Sequence, residues 1–96
     1  MRATAAWVYL VRCRDGSLYC GWTTDPVKRL KAHNSGAGAA YTRSRKPVTL
    51  VWCEACADRS AALRREIAIK RLTRTRKLAL IEQAHATSAC HPKPPA

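Results

Sequence analysis

The sequence predicts an α/β fold of the α+β kind, a three-stranded antiparallel sheet flanked by helices in the order β-β-α-β-α-α. Three observations predict it. Two runs rich in β-branched and aromatic residues flank Asp15-Gly16, a strong hairpin-turn dipeptide. A third such run, Pro47–Cys53, stands apart from them. Helix-start signals precede amphipathic stretches between and after the strands. Helices covering one sheet are the simplest packing of that order.

The first strand is Trp7–Val11, extended through Arg14, and the second is Ser17–Thr23. Gly21 inside the second strand predicts a bulge or a close approach to the backbone. Thr24-Asp25-Pro26 reads as a capping side chain followed by proline at the first helical position, which opens a helix to about Asn34. Residues 35–46 read as a loop of small and basic residues around Tyr41. Asp58 or Ser60 caps a second helix through about Leu72. Thr73 or Thr75 opens a third that carries Leu78 and Ile81. The 96 residues have room for one domain, placed over 1–86 with its core at about 7–81; the tail 87–96, holding Pro92, Pro94 and Pro95, is expected to be disordered.

Eighteen Lys+Arg stand against six Asp+Glu, a formal net charge of +12. That excess points to a polyanionic partner, nucleic acid first and an anionic membrane surface second. No basic helix with a broad apolar face supports the membrane, and no apolar run approaches the roughly 20 residues that span one. With no signal peptide in view, a cytoplasmic location and five reduced cysteines are expected. Cys53-x-x-Cys56 has no second ligand pair at zinc spacing, so unpaired, partly buried thiols are the simpler account.

Glu66 lies mid-helix on a face shared with Ala62 and Ile69. A carboxylate there is costly unless paired. It is either a divalent-metal ligand or the partner of Lys70 or Arg59 in an ion pair, and periodicity alone leans to the ion pair. Tyr9 and Tyr19 fall on the two hairpin strands. Two phenols and a carboxylate among cations could orient water at a phosphodiester, although strand tyrosines commonly just pack a sheet. Arg29 and His33 are four apart on the first helix and project the same way. An arginine clamps phosphate and a histidine moves protons near neutral pH; the blander readings are a solvated cation and a helix-dipole contact. Tyr41, Arg43, Arg45 and Lys46 suit a nucleic-acid backbone, with a base or sugar against the ring. Lys28 adds to that surface, and Lys70, Arg71 and Arg74 form a second basic patch.

Together these residues resemble the GIY-YIG nuclease superfamily, most closely its small stand-alone bacterial members. The first motif reads Trp7-Val8-Tyr9 and the second Tyr19-Cys20-Gly21. Arg29 stands at the helix arginine, His33 where a subset carries histidine, and Glu66, in Leu63-Arg64-Arg65-Glu66, at the metal-binding glutamate. The stretch 35–42 and the run 61–72 look like the stand-alone subgroup, and the likeness covers about 7–81. Trp7 and Val8 replace Gly and Ile, Cys20 replaces Ile, and 67–96 lacks the downstream Asn of some subfamilies.

The resemblance implies a metal-dependent endonuclease that cuts DNA, with RNA also open, in repair or in processing branched or damaged structures. It implies a single divalent cation, Mg²⁺ or Mn²⁺, held by Glu66 and neutralising the departing oxygen. Tyr9 and Tyr19 would position or deprotonate water, and Arg29 would stabilise phosphoryl charge. His33 would assist proton transfer or hold a phosphate, and Tyr41 would meet the scissile phosphate region. The sheet face opposite the Glu66 helix would supply the phenols. The alternatives are a nucleic-acid-binding module that does not cut and a subunit that needs a protein partner.

Overall fold

The computed structural model describes residues 6–87, the side chains of 84–87 excepted. Three strands, β1 (Ala6–Arg12), β2 (Leu18–Thr23) and β3 (Thr49–Cys56), alternate with α1 (Pro26–Ser35), α2 (Ala40–Arg43), α3 (Arg59–Lys70) and α4 (Arg74–Thr87). The sheet order is β2-β1-β3 and both pairings are antiparallel. The predicted order therefore holds, with the short α2 added inside the predicted loop.

The hairpin closes as its residues dictate. The Asp15 carboxylate accepts from the Ser17 amide and hydroxyl, and Gly16 takes φ 88°, open to a residue without Cβ. The Asp25 carboxylate caps α1 through the Lys28 amide at 3.1 Å, with Pro26 at the first helical position. Asp58 caps α3 through the Ala61 amide at 2.8 Å, and Thr73 accepts from the Arg76 amide to open α4. Each side-chain oxygen satisfies an amide that the helix itself leaves orphaned.

β3 begins two residues later than expected and runs three further. Val48 lies outside it because Asn34 takes the place of a strand: its Oδ1 accepts from the Val48 amide at 2.7 Å and its Nδ2 donates to the Val48 carbonyl at 3.0 Å. A register shift falls between Leu10 and Val11 of β1, where Val51 is the extra residue on β3. No bulge forms at Gly21, which pairs with Tyr9 in unbroken register. The tail expected from 87 lies, beyond Thr87, outside the described residues.

The register assigns each sheet face a partner. Val8, Leu10, Cys20 and Trp52 pack against Ala62, Ile69 and Ile81 of α3 and α4. Tyr9, Val11 and Cys53 belong to the other face, with Val48 and Leu30 of α1. Cys13, Cys20 and Cys56 are free thiols, whereas Cys53 is disulfide-bonded, which corrects the expectation of five reduced cysteines. Among the described residues no helix is long and apolar enough to cross a membrane.

Ile69 is fully buried and Ile67, on the same helix, is 51% exposed. Truncation of Ile69 to Ala is expected to cost about 2–5 kcal/mol, and truncation of Ile67 to Ala less than about 1 kcal/mol. Urea titration followed by circular dichroism checks the difference.

Candidate active site

Tyr9 sits on the central strand and Tyr19 and Gly21 on the edge strand β2. Because Tyr9 pairs with Gly21 and Tyr19 is two residues away, all three share one sheet face. A Cβ at position 21 would stand 2.6 Å from Tyr9 Oη. The missing side chain lets the Tyr9 ring lie across β2 and bring its hydroxyl to the sheet edge.

There the two sides of the sheet meet. A cleft of about 420 Å³ is lined by Tyr9, Tyr19, Gly21, Trp22, Thr23, Thr24, Arg29, Arg59 and Glu66. Arg29 comes from α1 on one side, and Arg59 and Glu66 come from α3 on the other. This corrects one expectation: the phenols do not face the Glu66 helix across the sheet. They share a face with α1, and Glu66 reaches them around the β2 edge.

Behind Tyr9 a buried chain of hydrogen bonds fixes where its protons lie. The Thr42 hydroxyl donates to the Ala39 carbonyl at 3.0 Å. Its single proton is thereby used, so at 2.8 Å it accepts from His33 Nδ1–H. Neutral imidazole then has Nε2 free as an acceptor, and Tyr9 Oη donates to it at 2.9 Å. His33 and Thr42 are both fully buried. Gly38 packs on the His33 ring, where a Cβ would collide with Nδ1, Cγ and the His33 backbone. The predicted loop thus serves first as the wall that orients His33.

Burial raises the Tyr9 pKa well above the ordinary 10.0, Tyr19 adds to the rise, and Arg29 partly opposes it. Burial, then the Arg29 charge, lowers the His33 pKa from the ordinary 6.5, so His33 is neutral at pH 7. Burial and Glu66 push the Cys20 thiol up to about 11, keeping it protonated beneath the site.

Glu66 is mostly buried and its carboxylate meets Lys70 Nζ at 3.4 Å. The ion pair expected from periodicity is therefore present, and the same carboxylate faces the cleft. Among the described residues no three His, Cys, Asp or Glu side chains gather as a metal-binding group. One carboxylate beside an open, water-accessible cleft fits Mg²⁺, which keeps several waters and takes further oxygens from substrate phosphate; it does not fit a closed zinc site.

Tyr41 lines the outer side of this arrangement. Its ring stacks on Tyr19, centroids 5.7 Å apart, and Arg45 lies over it at 3.9 Å. Arg45 is further tied to Asp15 and to the Tyr41 carbonyl, so it is committed within the fold. Arg43 donates to the Gly36 carbonyl at 3.4 Å, and Lys46 ends near Gly36. Lys28 lies exposed on α1, Arg71 caps the end of α3 and Arg74 opens α4. Sequence reasoning did not place Thr42, Gly38, Trp22 or Arg59 in the site, Arg59 entering only as an ion-pair partner for Glu66. Arg59 had a legible signal, since it precedes Glu66 by seven residues and so shares its helix face. Thr42 had none, being brought to His33 by the turn of the chain through 36–41.

The edge cleft gathers two phenols, an arginine from the first helix and a glutamate from the third. The chain belongs to the GIY-YIG family: the model of the GIY-YIG catalytic domain matches residues 5–79. Members of that family are generally endonucleases. The UPF0213 protein of Desulfotalea psychrophila is 57% identical over 79 residues, covering 80% of this chain and 72% of that protein. That of Clostridium perfringens is 53% identical over 75 residues, 78% of this chain and 81% of that one. The solution structure of the UPF0213 protein from Bacillus halodurans superposes with a TM-score of 0.53 at 44% identity, over 81% of this chain and 83% of that one. A protein from E. faecalis gives 0.55 at 37% identity over 99% and 97%.

The depressed His33 pKa makes a stability prediction. Below the ordinary 6.5 the unfolded chain binds a proton at His33 that the folded chain does not. Stability therefore rises with pH through the window below 6.5 and is lost as pH falls through it. Urea midpoints measured from pH 7.5 to 5 should decline, and His33→Gln should flatten that slope.

Proposed function

We propose that the chain is a metal-dependent endonuclease that hydrolyses DNA phosphodiester bonds in the cytoplasm, in repair or in processing branched or damaged structures. The observation that carries the reading is the donation from Tyr9 Oη to a neutral, buried His33 inside a cleft that also presents Glu66 and Arg29.

The proton route follows from that donation. Tyr9 Oη directs its own proton in a hydrogen bond to His33 Nε2, so its lone pairs are left to accept from a water in the cleft. As the water oxygen bonds to phosphorus, its proton moves to Tyr9 Oη and the Tyr9 proton moves to His33 Nε2. The P–O bond to the departing nucleotide oxygen breaks, and that oxygen takes a proton from water in the open cleft. A free Tyr9 phenolate is disfavoured by burial and by Tyr19, so Tyr9 acts as a relay and His33 as the final acceptor. Thr42 keeps the imidazole in the required tautomer. Tyr19 holds the attacking water on its other side, and Arg29 binds the equatorial phosphoryl oxygens, where charge grows. Tyr41 backs Tyr19 near the scissile phosphate. Lys28, Arg43, Lys46, Arg71 and Arg74 draw the polyanion in. Mg²⁺ or Mn²⁺ held by Glu66, when bound, neutralises the departing oxygen.

The test is cleavage of labelled single-stranded, duplex, flap and branched DNA, with RNA of the same sequences beside them, in Mg²⁺, Mn²⁺ or chelator. Glu66→Gln should abolish metal-dependent cutting, and Tyr9→Phe should lower kcat by about 10²–10⁴. Gly21→Ala should act like Tyr9→Phe and also lower the urea midpoint, because the added methyl meets the Tyr9 hydroxyl and ring and pushes them off buried His33. Salt-sensitive binding with no product on any substrate, in every metal, overturns the nuclease reading in favour of a binding module.

A further inference from the structure

Among the cleft residues that this mechanism does not use are Trp22 and the cation Arg59. We infer that Arg59, held by Trp22, is a second phosphate-binding group that takes the phosphate flanking the cleaved bond. The inference rests on the nuclease reading and extends it along the substrate strand.

Among the described residues the two cations that line the cleft, Arg29 and Arg59, form no ion pair, whereas three others do. Arg45 is with Asp15, Arg65 with Glu54 and Lys70 with Glu66. Among the described residues Arg59 pairs with no carboxylate, and its recorded contact is with the Trp22 ring, 5.6 Å from its centroid. A guanidinium over an indole face is held by cation–π attraction, while its in-plane N–H groups stay free. Those N–H groups form the fork that matches a phosphate in two points. Trp22 is anchored for this purpose, since it is half-buried on the α3 face of β2 with the core beneath it.

Position along the helix assigns the phosphate. Arg59 and Glu66 leave the same side of α3 two turns apart, about 10 Å along its axis. Arg59 lies over the Trp22 ring, whereas Glu66 is the cleft residue of α3 whose charge acts on Tyr9. A strand with its reacting phosphate at the tyrosines therefore carries a neighbouring phosphate to Arg59. Arg29 and Arg59 bracket the cleft from opposite layers of the fold, and each serves a different phosphate.

The experiment measures binding of a fluorescein-labelled DNA oligonucleotide to the full chain in chelator, where no cutting interferes. Wild type, Arg59→Gln, Arg59→Lys and Trp22→Phe are compared over a salt series. Arg59→Gln should weaken binding about 10- to 100-fold and reduce the slope of log K against log salt by about one. Arg59→Lys should restore the slope but not the full affinity, because a lysine keeps the charge and loses the fork. Trp22→Phe should keep the slope and give a smaller loss. A scan of single neutral methylphosphonates should find one position whose substitution weakens wild type and leaves Arg59→Gln unaffected. Arg59 is exposed at the start of α3, so unchanged circular dichroism should accompany each Arg59 variant. An unchanged slope and an unchanged methylphosphonate profile in Arg59→Gln overturn the subsite and leave the nuclease reading standing. A wild type that binds no DNA overturns both, and one that binds with the expected slopes but never cuts overturns the nuclease reading and leaves Arg59 only a phosphate contact of a binding module.

Discussion

The hydrogen-bonded chain from Tyr9 through His33 and Thr42 to the Ala39 carbonyl is the constraint on which the rest of the site depends. A buried imidazole left unpaired costs about 1–3 kcal/mol, so the segment 36–46 has to fold back and supply Thr42. That return is fastened at several points. Gly36 turns the chain with φ 90°, the Ala37 amide donates to the Ala32 carbonyl, and the Arg14 amide donates to the Arg45 carbonyl. Among the described residues no buried side-chain nitrogen or oxygen is left without a partner. The polar interior is therefore complete before any substrate arrives, and the proton positions that the chemistry needs belong to the fold.

The charge excess has a structural counterpart. Five of the six acidic side chains are already committed: Asp25 and Asp58 cap helices, and Asp15, Glu54 and Glu66 face Arg45, Arg65 and Lys70. Exposed ion pairs of this kind contribute little to stability. They do decide which cations are left over, and in the cleft the remainder is Arg29 and Arg59. The Glu66–Lys70 pair has a second role, because the lysine offsets the charge of a mostly buried carboxylate. A lone carboxylate in that position would otherwise carry a desolvation cost.

Much of this was legible in the residues. Asp15-Gly16, Asp25-Pro26 and Asp58 mark turns and caps through local chemistry, which is why the hairpin and the starts of α1 and α3 fall where expected. The motif residues Tyr9, Tyr19, Arg29 and Glu66 do converge on one cleft. What sequence could not show is how they converge. Alternation along β2 sets Tyr19 and Trp22 on opposite faces, and only the closed fold shows that both reach the same edge. α2 escaped notice because Ala40–Arg43 has no side-chain cap, and Thr42 because its value lies entirely in meeting His33. The start of β3 shifted because Asn34 competes for the Val48 backbone, a contact between residues fourteen apart. Cys53 departed from the reduced-thiol expectation, which had rested on location rather than on geometry.

The two glycines of the site constrain the divergence of such chains in different ways. A Cβ at Gly21 meets the tip of Tyr9, whereas one at Gly38 meets the His33 backbone as well as its ring. A side chain at 21 therefore acts through side chains alone, pushing the Tyr9 ring off His33. A side chain at 38 disturbs the architecture itself unless His33 and its wall change with it.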